Sequence, residues 1–192
     1  MEEPENKNGV AVEIWTDGAC VPNPGRGGWA AIIEFGGEKN EIVGTERDTT
    51  SNRMEMMAAI CAIESLPFIP KKILLHSDSQ YLCNGFSRWR HKWKSNGWKM
   101  SKKRNASEPK NVDLWKALDR LAQGIEIELV WLRGHNGHVE NERVDKLSLK
   151  AALDNASAAM KEFWMRQSWQ RRKADPNNPR ITRRARWETA SK

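Results

Sequence analysis

Four acidic residues, Asp17, Glu55, Asp78 and Asp145, fall at or near the ends of the elements that the surrounding sequence predicts. Carboxylates that converge from separate elements make an all-oxygen site. Such a site suits a hard divalent cation such as Mg²⁺, which keeps several waters and takes few protein ligands. Two such ions about 4 Å apart can activate a water, neutralise charge building on a phosphorane and help the leaving oxygen, so the chemistry in prospect is phosphodiester cleavage. Asp17 follows the alternating run Val10, Val12, Ile14, and Asp78 follows the apolar run Ile73-Leu74-Leu75. If those runs are neighbouring parallel strands, about 4.8 Å apart, both carboxylates emerge at one sheet edge, where α/β sheets bind ligands. Glu55 is expected in the first turn of a helix, with Ala58, Ala59 and Ala62 on its own side, and Asp145 early in the helix after the last strand.

Each of these residues also has a plain structural reading. Glu55, three after Asn52, suits a capping box, Asp17-Gly18 suits a turn, and Asp145 between Arg143 and Lys146 suits a solvated helix surface. Residue type and spacing leave both readings open.

The elements that would position them follow from periodicity and breakers. The strand over Val10–Ile14 runs on to end at Asp17, and Pro22-Asn23-Pro24-Gly25-Arg26-Gly27-Gly28 predicts a turn. Trp29–Phe35 and Glu41–Glu46 predict two further strands about a Gly36-Gly37 hairpin. Thr50-Ser51-Asn52 supplies capping side chains for a helix over Arg53–Ser65, which Pro67 and Pro70 end. A strand at Ile73–Leu75 follows, then helices over Gln80–Lys94 and Asn111–Gln123, a strand over Ile125–Leu132 and a helix over Glu140–Leu153. The order βββ-α-β-α-α-β-α predicts an α/β fold: a mixed five-stranded sheet, three antiparallel strands and then parallel ones, flanked by helices.

Charge divides the chain unevenly. The formal net charge is +7, and residues 160–192 carry ten Lys/Arg against three Asp/Glu, so the rest of the chain is neutral in sum. Within that neutral part, Arg88–Arg104 holds eight Lys/Arg and no acid, interleaved with Trp89, Trp93 and Trp98. Cations mixed with aromatics suit a nucleic-acid backbone, although tryptophans at this spacing also suit packing of a helix onto the body. Three scattered cysteines, Cys20, Cys61 and Cys83, do not make a disulfide framework. The acidic opening Met1-Glu2-Glu3 and the lack of an apolar run near ~18 residues predict a cytoplasmic protein with no membrane partner, and a monomer is expected. The chain divides into a flexible 1–9, a folded domain over 10–155 with a basic protrusion at 88–110, and a basic extension over 156–192. In that extension Ser157 is expected to cap a helix to about Lys173, Asp175-Pro176-Asn177-Asn178-Pro179 to break it, and Arg180–Lys192 to be disordered.

Over roughly Val10 to Leu153 the chain resembles ribonuclease HI, the cellular type 1 ribonuclease H in its bacterial form with a basic protrusion. The resemblance is carried by Thr16-Asp17-Gly18-Ala19-Cys20 with Asn23-Pro24-Gly25 and Gly27-Gly28-Trp29, by Thr49-Thr50-Ser51-Asn52-Arg53-Met54-Glu55, by Ser77-Asp78-Ser79-Gln80-Tyr81, and by Gly134-His135-Asn136-Gly137-His138 with Glu140-Asn141-Glu142-Arg143-Val144-Asp145. Four motifs in order are a strong signal. The resemblance implies an endonuclease that hydrolyses the RNA strand of an RNA/DNA hybrid with two metal ions, leaving 5′-phosphate and 3′-hydroxyl ends. It assigns Asp17, Glu55, Asp78 and Asp145 as metal-binding and catalytic carboxylates for Mg²⁺, with Mn²⁺ as an alternative. His135, rather than His138, becomes the loop histidine that assists proton transfer or product release.

Recognition of 2′-hydroxyls in the minor groove would fall to backbone groups around Cys20 and to Ser51, Asn52 and Gln80, while Asn23 and Thr50 would hold a DNA phosphate. Arg88, Trp89, Lys92, Trp93, Lys94, Trp98 and Lys99 would grip the DNA strand. Two positions depart from the family pattern: Ser51 stands where asparagine is common, and Asp48 where an arginine is common, with Arg47 beside it. The other readings to be separated are a hybrid- or double-stranded-RNA-binding module without catalysis, and a DNA-cutting nuclease of the same fold.

Overall fold

The structure is a computed structural model that describes residues 11–154. The expected flexible start and basic extension lie outside the described residues. Five strands, β1 (Val12–Cys20), β2 (Gly25–Phe35), β3 (Glu38–Thr49), β4 (Lys72–Ser77) and β5 (Glu126–Trp131), form one sheet in the order β3-β2-β1-β4-β5. β1, β2 and β3 pair antiparallel, while β4 runs parallel to β1 and β5 parallel to β4, as expected for a meander followed by helical crossovers. The helices are α1 (Ser51–Glu64), α2 (Gln80–Asn84), α3 (Arg90–Ser95), α4 (Val112–Leu121) and α5 (Val139–Asp154).

Alternation along β1 divides the core. Val12 and Ile14 join Ile73 and Leu75 of β4 beneath Met56, Ala59 and Ile63 of α1, with Leu82, Phe86, Trp115 and Leu118 completing that layer. Trp15 faces the other way and packs with Ala30, Ile32 and Val144 of α5. Among the described residues no helix is long and apolar enough to cross a membrane.

Three expectations change. The stretch read as a turn through Gly28 is strand from Gly25 onward, and Gly25 pairs with Thr49. Its glycines provide clearance rather than only bending: a Cβ on Gly28 would lie 2.3 Å from the Ala152 nitrogen, so α5 rests directly on the β2 backbone there. β3 likewise runs to Thr49 rather than stopping at Glu46, because the lengthened β2 offers it partners. The helix expected over Gln80–Lys94 is interrupted by a π-helical turn at Gly85–Trp89. That wider turn changes which side chains face inward: Phe86 and Trp93 enter the core and Trp89 stays 39% exposed.

Candidate active site

The parallel pairing sets the carboxylates level. Trp15 of β1 registers with His76 of β4, so Asp17 and Asp78 each lie two residues further along. Asp17 does not end its strand, as the sequence suggested; β1 continues to Cys20 because β2 still pairs with it, Asp17 opposite Ala30. Asp78 follows the last residue of β4 in a tight turn, where the Ser79 N–H donates to the Ser77 hydroxyl.

Glu55 arrives from α1. The N-cap of that helix is Thr50, whose hydroxyl accepts from the Arg53 N–H at 3.4 Å. Glu55 therefore sits past the first turn, two positions beyond the reach of a capping box, and the capping reading is excluded. It comes close to the sheet because position 18 has no side chain: a Cβ on Gly18 would lie 2.2 Å from the Glu55 nitrogen. Ala58, Ala59 and Ala62 are fully buried along the same helix, as small contact residues should be.

One ligand oxygen from each of Asp17, Glu55 and Asp78 lies within 4.8 Å of the others. Asp145 of α5 lies outside that group of three, with its side chain 38% exposed and an oxygen 3.9 Å from the His135 Nδ1. Its charge is nevertheless felt at Asp17. Burial raises the Asp17 carboxyl to about 6; the Ser148 hydroxyl, which donates to it, pulls the other way, and Asp145 and Asp78 push it further up. Burial, and then the charges of Asp17, Asp78 and Asp145, hold Glu55 well above the usual carboxylate range. Burial also raises Asp145, with His135 opposing. Glu55 Oε2 is buried without a hydrogen-bond partner. Crowded like charges and an orphaned buried oxygen are unfavourable alone, and an oxygen-seeking divalent cation relieves both, so this donor set fits one. His135 occupies the left-handed backbone region at φ 54° with its side chain 80% exposed, on the loop after β5.

The residues assigned to substrate fall into two groups. Around the start of α1, Asn23 is exposed and its Oδ1 accepts from the Ser51 N–H at 3.4 Å. Ser51 is half-buried, and Asn52 and, across the site, Gln80 are exposed. The Cys20 thiol is buried and donates to the Pro22 and Thr49 carbonyls. Beside Thr50 lies a cleft of about 400 Å³ lined by Pro24, Gly25, Asp48, Thr49, Thr50 and Arg53. The cation in that lining is Arg53, not Arg47. Asp113 holds it by two hydrogen bonds of 3.0 and 2.7 Å.

In the basic segment, Arg88 and Lys92 are exposed and Trp89 is partly so. Trp93 is a correction: it is 8% exposed, with its ring 5.6 Å from that of Trp115, because the helix needs an apolar anchor at that position. Trp98, at φ 63°, also packs against the core. Lys94 pairs with Asp119 at 2.8 Å beside the largely buried Arg90–Asp119 pair, and Lys99 is half-buried with its Nζ on the Arg104 carbonyl.

Sequence reasoning missed Ser148 and Arg53. Ser148 lies three residues after Asp145, on the same side of a helix, and that spacing was the available signal. Arg53 stood inside a quoted motif, but its partner Asp113 is sixty residues away.

The family model described as RNase H matches residues 9–153. The ribonuclease H of Novosphingobium aromaticivorans is 49% identical over 142 residues, covering 74% of this chain and 96% of that protein. The ribonuclease H of Aromatoleum aromaticum is 51% identical over 137 residues, covering 71% and 87%. Among solved structures, LC9-RNase H1, a type 1 RNase H with the type 2 active-site motif, is similar with a TM-score of 0.65 at 28% identity, covering 77% of this chain and 74% of that one. LC11-RNase H1, solved in complex with an RNA/DNA hybrid, shares the fold at a TM-score of 0.57 and 19% identity, covering 76% and 99%.

Proposed function

The chain belongs to the ribonuclease H family, and from that premise we propose that it hydrolyses the RNA strand of an RNA/DNA hybrid with two divalent cations held by Asp17, Glu55, Asp78 and Asp145. The observation that carries this reading is the approach of one oxygen each from Asp17, Glu55 and Asp78, on a strand, a helix and the turn after β4, to within 4.8 Å of one another. Mg²⁺ is the cation this all-oxygen set favours, with Mn²⁺ as a substitute. When bound, such ions supply an activated water and neutralise charge at the scissile phosphate.

The chain's own residues do the rest. Asp17, Glu55 and Asp78 form the inner cluster, and Ser148 orients the Asp17 carboxylate through its hydroxyl. Asp145 stands at the margin, where it can hold a cation and at the same time steady His135. His135, exposed on its loop, takes or delivers a proton at the departing or attacking oxygen. The start of α1, with Asn23 and Thr50, holds a DNA phosphate, while Ser51, Asn52 and Gln80 meet 2′-hydroxyls of the RNA strand. Arg88 and Lys92, with the exposed face of Trp89, contact the DNA backbone from the protrusion.

The test is incubation with labelled RNA/DNA hybrid, double-stranded RNA and duplex DNA, each with Mg²⁺ and with chelator, beside Asp17→Asn. Cleavage of hybrid alone, dependent on metal and lost in Asp17→Asn, is the expected result. Binding of hybrid without cleavage would replace the reading with that of a binding module, and cleavage of duplex DNA would replace it with a DNA nuclease.

A further inference from the structure

Trp131 is the last residue of β5 and pairs in register with Ser77, the residue before Asp78. It is half exposed, so its ring is not a core anchor, and its indole N–H donates to the Asp78 carbonyl oxygen at 3.2 Å. The next residue continues the attachment, since the Leu132 N–H donates to the Ser77 carbonyl at 3.0 Å. Two residues later the chain passes against the carboxylate itself, where a Cβ on Gly134 would lie 2.6 Å from Asp78 Oδ2. The end of β5 thus holds the Asp78 turn at its main chain and walls its side chain. The Trp131 N–H is committed to main chain rather than left to water, and the group it reaches belongs to an inner-cluster residue.

We propose that Trp131 is a positioning residue: its indole N–H fixes the Asp78 main chain so that the carboxylate is preset to hold a divalent cation. The proposal rests on the reading of Asp78 as a metal ligand. Partners that orient ligands in this way typically carry about 10- to 100-fold in metal affinity.

The experiment compares Trp131→Phe, which keeps a ring and removes the N–H, with Asp78→Asn and the unaltered protein, using Mn²⁺ as the probe. Calorimetry is expected to show about 10-fold weaker Mn²⁺ binding for Trp131→Phe, the low end of that range. Its thermal midpoint should shift by no more than about 4 °C, as loss of one partly exposed hydrogen bond allows. At limiting metal kcat on hybrid should fall, while KM for hybrid stays unchanged. Mn²⁺ affinity equal to the unaltered protein, or a raised KM with unchanged metal affinity, would overturn the positioning role. If Asp78→Asn alone loses metal, the ligand reading still stands; if Asp78→Asn keeps full Mn²⁺ affinity, it is the ligand reading that falls. Should Trp131→Phe fail to fold, the Trp131 indole N–H resonance of the unaltered protein decides during titration with Mg²⁺. A shift that saturates with the metal supports the proposal, and an unmoved resonance overturns it.

Discussion

The carboxylate cluster and the basic segment concentrate charges of opposite sign, and the fold treats them differently. At the sheet edge, Asp17, Glu55 and Asp78 are drawn together with no cationic side chain among them, and burial with the neighbouring carboxylates raises the proton affinity of Asp17 and Glu55 although Ser148 donates to Asp17. In the basic segment, Arg90 and Lys94 are answered by Asp119, and Trp93 and Trp98 are drawn into or onto the core, which leaves Arg88, Lys92, Lys102, Lys103, Arg104 and part of Trp89 facing outward. The first region holds an unfavourable arrangement inside a rigid frame. The second uses two of its eight cations, Arg90 and Lys94, and most of its aromatic surface to hold itself in place. A cluster of like charges that the fold does not neutralise is a donor set suited to a cation, whereas a run of cations has to be sorted residue by residue before any of it is assigned to a ligand.

The contrast breaks first if the cluster is passive. Asp78→Asn should lower hybrid cleavage on the order of 10³-fold, the scale at which losing a preorganised charge-stabilising group registers. Hybrid binding in chelator should stay within about twofold, since phosphate contacts made elsewhere dominate affinity. Gel-based cleavage and fluorescence anisotropy measure the two.

Trp93 and Trp89 sharpen the other half. Trp93→Ala should lose about 3 kcal/mol or more in urea denaturation, as truncation of a buried aromatic does. Trp89→Ala, at a 39% exposed site, should lose less than half of that while weakening hybrid binding. Equal stability losses would erase the division between anchor and contact.

Metal-free stability against pH comes next. Burial pushes the folded Asp17 carboxyl up to about 6, above the ordinary aspartate value of about 4, so its contribution is fully present below about 4 and is lost as pH rises through 6. Without metal, the protein should therefore lose stability between pH 4 and 7 at this group. Asp17→Asn should flatten that slope and gain on the order of 2 kcal/mol at pH 7, after allowance for the weakened Ser148 bond. Denaturant midpoints in chelator across that range measure it, and a variant no more stable than the parent at pH 7 would contradict the burden assigned to the cluster.

The smallest effect separates the cations. Lys92→Ala should reduce the slope of log affinity against log salt by about 1, and Lys94→Ala, already paired with Asp119, by distinctly less.

The fold and the site were legible in the sequence to different depths. The mixed five-stranded sheet followed from the succession of strands and helices, and the common level of Asp17 and Asp78 from the parallel pairing those helices impose. Glycines misled because one residue type serves two purposes: Gly25, Gly27 and Gly28 read as a bend, yet in the sheet they make room for neighbouring backbone and side chains. Glu55 stood at capping distance from Asn52, and only the capping role of Thr50, two residues earlier, decided against it. Trp93 could not be told from Trp89 by spacing, since the π-helical turn that rotates one inward leaves no clear mark in composition. Arg53 and Asp113 show the limit most plainly, because a pair sixty residues apart is visible only once the chain has folded.

The bare α-carbon at position 18 has a consequence for how the site tolerates change. The gap between α1 and β1 is set there by main chain meeting main chain, so the separation of Glu55 from Asp17 is governed by contact of two rigid rods rather than by the flexing of long side chains. Substitutions on the outer face of α1 are therefore free to alter solubility or partner surface without loosening the pocket. A single added methyl beneath the helix would instead lift Glu55 bodily away from its neighbours.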